Sequence, residues 1–343
     1  SQTCISNHGT AVEWFVVLKV PGQRNGFGYY DSQMERSGAR QIEVITGKSF
    51  IEPGFAVHST LKQINDQRLQ RVAWSDQPPN GDASASYAHS KALIAFNPLT
   101  AKGFQIDHSL PRFPEFDSAH NVKLVNNPNS NTYGQHVFCM SLSMEEMERI
   151  AQNTIFIRPY VYEMGIQNGP AQLRLAPNLL KLQNTKATTP DVFRYANFTA
   201  GSTNVRGIFK TSGKKTSIFG DSGVGGGLIA MLQSPLLVET WRGDDGSYCP
   251  RHDTVERHLS HQSLPGFYSV EYISKVQLNP SISWVRTQDH SKWAVAKNVP
   301  WTCFGGMNRQ KSQWLRGGQF FCLESAILNQ VMKSIIGTHE NCS

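Results

Sequence analysis

A chain of 343 residues is long enough to bury one large core or two packed halves without depending on staples. With 39% hydrophobic and 17% charged residues it is neither disordered nor fibrous, and no apolar run approaches the roughly 20 residues that span a bilayer. The net charge of +7 is mildly basic and compatible with a polyanionic partner, because lysine and arginine release counterions from phosphates.

Glu13 to Val20 (EWFVVLKV) reads as a buried strand, stopped by Pro21-Gly22. Residues 22–40 are Gly-rich and polar, which predicts a loop. His89 to Phe96 predicts a strand that turns through Asn97 to Lys102 and returns as Gly103 to Ser109. Ser143-Met144-Glu145-Glu146 is a capping-box pattern opening a helix through about Gln152, and Thr154 to Glu163 returns to strand-like composition. A second hairpin is predicted from His290, turning through Lys297 to Pro300 and returning as Trp301 to Phe304. Glu324 to Ile336 has helical spacing. The mixture is an α/β or α+β pattern.

The six cysteines, Cys4, Cys139, Cys249, Cys303, Cys322 and Cys342, include no CxxC pair. Metal-site spacing is therefore absent, and three disulfides in an oxidising compartment is the reading preferred over buried free thiols. A chain that starts at Ser1 rather than Met is what removal of a signal peptide leaves. Asn197-Phe198-Thr199 is a glycosylation sequon that fits the same route.

An internal repeat organises the rest. His89-Ser90-Lys91 precedes the apolar run Ala92 to Phe96, and His290-Ser291-Lys292 precedes Trp293-Ala294-Val295-Ala296. Copies this far apart suit two halves of a duplicated fold rather than a solenoid. Side chains at i and i+2 share a strand face, so each motif presents its histidine and lysine together. Pairing Phe96 with Gly103 sets Lys91 opposite His108; pairing Ala296 with Trp301 sets His290 opposite Met307, beside Asn308.

Those residue types suit phosphodiester cleavage, which needs a nucleophile, a proton for the leaving oxygen and positive charge on the non-bridging oxygens. One neutral histidine attacks phosphorus and one protonated histidine releases the leaving group. Lys91 and Lys292 neutralise the phosphate, while His108 and Asn308 support it with hydrogen bonds. No carboxylate cluster resembles a two-metal site, so neither metal nor other cofactor is expected. Two imidazoles, one of them charged, predict an acid optimum. Lys210, Lys214 and Lys215, ahead of the Gly-rich run Phe219 to Gly227, lack Walker spacing and read as a solvated basic turn, with a DNA-contacting loop as the alternative. The remaining histidines, His136 among them, read as surface or structural.

At these residues the sequence resembles the deoxyribonuclease II family, a branch of the phospholipase D superfamily. The resemblance runs through Val12 to Val17, Asp76-Gln77-Pro78-Pro79, His89-Ser90-Lys91, His108-Ser109-Leu110-Pro111 and Thr132-Tyr133-Gly134-Gln135. It continues through Asp289 to Trp293, Pro300 to Cys303, Met307-Asn308-Arg309 and Arg316-Gly317-Gly318. It implies two pseudo-symmetric phospholipase D-like halves, 1–152 and 153–343, each a sheet flanked by helices, with the site between them. It implies a metal-independent acid endonuclease on double-stranded DNA, leaving 3′-phosphates through a phosphohistidine. His89 is assigned as nucleophile and His290 as acid, roles that the symmetry of the motifs leaves interchangeable. The resemblance also implies the pairings Cys4–Cys139, Cys249–Cys342 and Cys303–Cys322, a lysosomal or secreted destination, no membrane partner, and a homodimer as one way to clamp duplex DNA. Asn97 stands where an acidic residue is expected and falls in the predicted turn. Two competing readings are an inactive secreted protein of this fold that binds DNA or a partner, and a lipid phosphodiesterase.

Overall fold

The apolar run after Glu13 forms a strand, β1 (Trp14–Lys19), buried at all six positions. In the computed structural model, which describes residues 2–22, 26–124, 131–165, 176–184, 186–241 and 268–340, it is one member of an eight-stranded sheet. The others are β2 (Phe27–Asp31), β3 (Glu43–Ile45), β4 (Gln70–Ser75), β5 (Lys91–Asn97), β6 (Lys102–His108), β7 (Gln135–Ser143) and β8 (Val161–Gly165). Their order is β8-β4-β5-β6-β7-β1-β2-β3, and every neighbouring pair is antiparallel.

Later residues build a nine-stranded sheet from β9 (Phe193–Ala200), β10 (Thr203–Lys210), β11 (Leu236–Glu239), β12 (Val270–Asn279), β13 (Ile282–Val285), β14 (Trp293–Ala296), β15 (Trp301–Gly305), β16 (Gly318–Glu324) and β17 (Ile336–Glu340). The order is β9-β10-β16-β15-β14-β11-β12-β13, with β17 paired to β12 and only β11·β12 parallel. The fold is thus mixed α/β, with large antiparallel sheets and few helices among the described residues.

The largest buried cluster joins both sheets: Trp14, Ile94 and Phe138 from the first meet Trp293, Phe304 and Phe321 from the second. Phe138 and Phe304 stack with ring centroids 4.9 Å apart. Each such buried aromatic contributes about 2–3 kcal/mol of apolar burial, so this layer holds the sheets together. Cys4–Cys139 and Cys303–Cys322 are formed, the first tying the N-terminus to β7 and the second bridging β15 and β16. The expected Cys249–Cys342 pair lies outside the described residues.

Two local expectations need correction. Residues 22–40 are not simply loop: β2 and a helix, Ser32–Arg36, occupy part of the segment. Phe27, Tyr29 and Tyr30 are wholly buried there, so packing overrides the Gly-rich composition, and the Asp31 carboxylate caps the helix by accepting from the Gln33 and Met34 N–H groups. Thr154 to Glu163 is not a continuous strand either. The capping box forms, with the Ser143 hydroxyl accepting from the Glu146 N–H, and its helix runs Met144–Thr154. A 3-10 turn, Ile155–Ile157, follows; Arg158 then reverses the chain at φ +63°, which leaves only Val161–Gly165 extended.

Candidate active site

Both motif hairpins form in the expected register. Phe96 faces Gly103 and Ala92 faces Asp107, while Trp293 faces Phe304 and Val295 faces Thr302. β5 and β14 are buried throughout, because their Ala, Leu, Ile, Val and aromatic side chains are covered on both faces. Each histidine sits just outside the regular strand, where its ring is free to reach across. Asn97 ends β5, its side chain accepting from the Leu99 N–H at 2.9 Å, so it shapes the turn.

Each histidine is held by backbone belonging to the opposite sheet's segments. The His89 N–H donates to the Gly317 carbonyl (2.9 Å) and its Nδ1 bonds the Gly306 carbonyl, both from the region around β15 and β16. The His290 N–H donates to the Gly134 carbonyl (2.7 Å), at the entry to β7. Glycine is required at these crossings. A Cβ on Gly306 would stand 2.5 Å from the His89 carbonyl oxygen, and one on Gly134 would stand 2.5 Å from Asp289 Oδ1. A Tyr133 ring stacks on His290 at 4.0 Å and Trp241 meets it edge-on at 5.2 Å. The Tyr133 carbonyl accepts from buried Lys19 Nζ at 2.8 Å, which anchors that platform to β1.

The result is one cleft of about 360 Å³ whose lining includes His89, Lys91, His290, Lys292, Asn308, Asp76, Trp241 and Arg316. Asp76 is its electrostatic pivot. Lys91 Nζ donates to Oδ1 and Arg316 Nη2 to Oδ2, each at 2.9 Å, and His89 Nε2 lies 3.9 Å from Oδ2. Burial alone would raise this carboxyl; Lys91, His89 and Arg316 outweigh it and hold Asp76 well below the usual carboxylate range. Three cations, Lys91, Lys292 and Arg316, thus face one carboxylate in the cleft, and the surplus of positive charge suits an anion.

The imidazoles are poised neutral. Burial pushes His89 well below its ordinary value; Asp76 opposes that, while Lys91, Lys292 and Arg316 reinforce it. His290 is pushed down to about 3 by burial, then by Lys292 and Lys91. Burial and the neighbouring Lys91 bring Lys292 down to about 7. A carbonyl accepts but cannot donate, so the Gly306 contact requires hydrogen on His89 Nδ1 and leaves Nε2 with a lone pair. His290 Nε2 is buried without a hydrogen-bond partner, as is Asn308 Oδ1. Among the described residues no three His, Cys, Asp or Glu side chains converge as metal ligands would.

A profile of the Deoxyribonuclease II family matches residues 3–342. The chain belongs to that family. Among its relatives, Plancitoxin-1 of Acanthaster planci is 29% identical over 99% of this chain and 92% of its own length. Deoxyribonuclease-2-alpha of Rattus norvegicus is 28% identical, covering 99% and 94%. Cell-death-related nuclease 7 of Caenorhabditis elegans is also 28% identical, covering 99% and 88%. A solved phosphatidylserine synthase of Haemophilus influenzae Rd KW20 aligns over 74% of this chain and 62% of its own at 10% identity, with a TM-score of 0.35, a likeness too weak to inform on this chain.

In this deoxyribonuclease II family member the cleft contains four of the residues singled out for catalysis, together with Asn308. His108 does not line it: its Nδ1 accepts from the Leu110 N–H at 3.1 Å inside the protein, and burial, followed by Lys91, pushes it down to about 3. Lys210 is no surface contact, since its side chain is fully buried and Nζ donates to the carbonyls of Thr211 and Arg316. Lys214 and Lys215 stay at the surface, half-buried and exposed, outside this cleft. Asp76 and Arg316 entered the sequence reading only through the family resemblance; their pairing across 240 positions carries no local signal. His136, read as structural, is buried with Nδ1 accepting the Lys292 N–H at 3.1 Å, so it positions the second motif.

Proposed function

We propose that this chain is an acid endodeoxyribonuclease that hydrolyses double-stranded DNA without a metal. The observation that carries the reading is the convergence of both His-Ser-Lys motifs on a single cationic cleft; the names of its relatives supply DNA as the substrate. A scissile phosphate sits between the histidines with its non-bridging oxygens toward Lys91, Lys292 and Asn308. His89 Nε2, free because Nδ1 is committed to Gly306, attacks phosphorus. The bond to the 5′-oxygen breaks, and that oxygen takes a proton from His290. Neutral His290 then removes a proton from water, whose oxygen displaces His89 and releases a 3′-phosphate end. The lysines and Arg316 supply the charge stabilisation that a metal supplies elsewhere.

His290 is depressed by burial and then by two nearby ammonium groups, so protonating it demands acid, and an arriving phosphate offsets those charges and favours the imidazolium. The same proposal treats 1–152 and 153–343 as pseudo-symmetric halves. In support, each carries one motif hairpin within its own large sheet, although Val161–Gly165 returns to the edge of the first. Two disulfides and an exposed Asn197 on β9 suit the secretory route, ending in a lysosome or outside the cell.

A plasmid-nicking assay at about pH 5 in excess EDTA tests the reading. Wild type is expected to nick and leave 3′-phosphates, and His89→Ala and His290→Ala each to lose about a thousandfold or more. Binding without nicking by wild type, or nicking that survives both substitutions, would remove it.

A further inference from the structure

A second groove, of about 270 Å³, is lined by Arg158, Lys214, Thr188, Thr189 and Ser212 with neighbouring backbone. No carboxylate lines it. By contrast, the groove that contains His120 is lined by Asp117 and Glu163 and is unsuited to a polyanion.

Arg158 is held in place and left uncompensated. Its left-handed backbone (φ +63°) directs the chain reversal after the 3-10 turn. Its guanidinium lies 4.7 Å from the centroid of the Tyr87 ring, and its buried Nε has no hydrogen-bond partner. Among the described residues neither Arg158 nor the Lys214 ammonium has a carboxylate within ion-pair reach. An aromatic face orients a guanidinium without consuming its charge, and a planar fork with spare donors matches phosphate oxygens.

Backbone hydrogen bonds tie the segments that line the groove to those that line the cleft. The Arg158 carbonyl accepts from the Ala88 N–H at 2.9 Å, one residue from His89. On the other side the Gly213 N–H donates to the Leu315 carbonyl at 2.9 Å, one residue from Arg316.

We infer that the groove binds a backbone phosphate flanking the scissile one, through Arg158 and Lys214 with the Thr188, Thr189 and Ser212 hydroxyls as further donors. The inference rests on the nuclease reading of the cleft. It recasts the basic loop seen in the sequence: Lys214 contributes, buried Lys210 does not, and Arg158 takes its place.

The test compares Arg158→Ala, Lys214→Glu and the double variant on plasmid DNA over a range of salt, and on bis(p-nitrophenyl) phosphate, a single diester too small to reach the groove. Lys214→Glu guards against misfolding, because that side chain makes no hydrogen bond or ion pair among the described residues. The expected result is KM for plasmid raised about tenfold with kcat kept, and a log KM against log salt slope shallower by about 0.9 per cation removed. Hydrolysis of the small diester stays at the wild-type rate. Unchanged KM and salt slope, or equal losses on both substrates, would overturn the inference. If wild type cleaves neither substrate, the nuclease reading is what fails, and DNA affinity measured in the His89→Ala background then decides the groove: equal affinity with and without Lys214→Glu rules it out.

Discussion

Asp76 shows how one side chain sets the state of several others. It accepts from Lys91 and Arg316 and lies beside His89, so it keeps two cations in place and opposes the burial that holds that imidazole neutral. His290 has no such compensation, Lys292 has it only in part from Asp76 and Asp289, and both are depressed, which gives a pH dependence with a definite sign. kcat/KM reports the free enzyme. In the proposed mechanism His290 carries the proton for the leaving oxygen, so log kcat/KM is expected to fall by about one per pH unit above about 3. The same mechanism needs Lys292 charged, so the fall is expected to steepen to about two per unit above about 7. Lys292→Arg keeps its charge at all these pH values and is expected to abolish the second break while the first remains. A profile rising between pH 4 and 7 would contradict this assignment.

Hairpins and tight crossings deliver these side chains, and their contributions to activity and stability separate. Gly306→Ala places a Cβ against the His89 carbonyl, which cannot retreat because the His89 N–H is tied to Gly317. Nicking is expected to fall about a hundredfold, with a stability loss of about 1–3 kcal/mol from the overpacked crossing. Ser143→Ala costs stability alone: losing the cap costs about 1 kcal/mol, read from a denaturant midpoint, and leaves nicking intact because the Met144–Thr154 helix does not border the cleft. Matching losses of activity in both variants would mean that the site depends on overall stability instead of local geometry.

At the scale of the whole molecule, two sheets share one core and the two observed crosslinks span very different lengths. Cys4–Cys139 closes a sequence separation of 135 and Cys303–Cys322 one of 19. Loop-closure entropy grows with the logarithm of that length, so replacing the first pair by alanines is expected to cost about 5 kcal/mol and the second about 3 kcal/mol. Urea midpoints that ranked the pairs the other way would place the larger constraint in the β15–β16 hairpin.

The motif strands, their hairpin registers and the Ser143 capping box were legible in the chain itself, because period-two apolar patterning and turn residues act over a few positions. So was the pairing of histidine with lysine on one face. Composition misread residues 22–40, where buried aromatics outweigh glycine, and it placed Lys210 on a surface from which tertiary packing removes it. Asp76 with Arg316, Tyr133 beneath His290, and His136 behind the Lys292 N–H depend on contacts between segments far apart in the chain. Only the folded protein decides those contacts, since they follow from which backbone each sheet lends to the other's histidine, and no local pattern encodes that exchange.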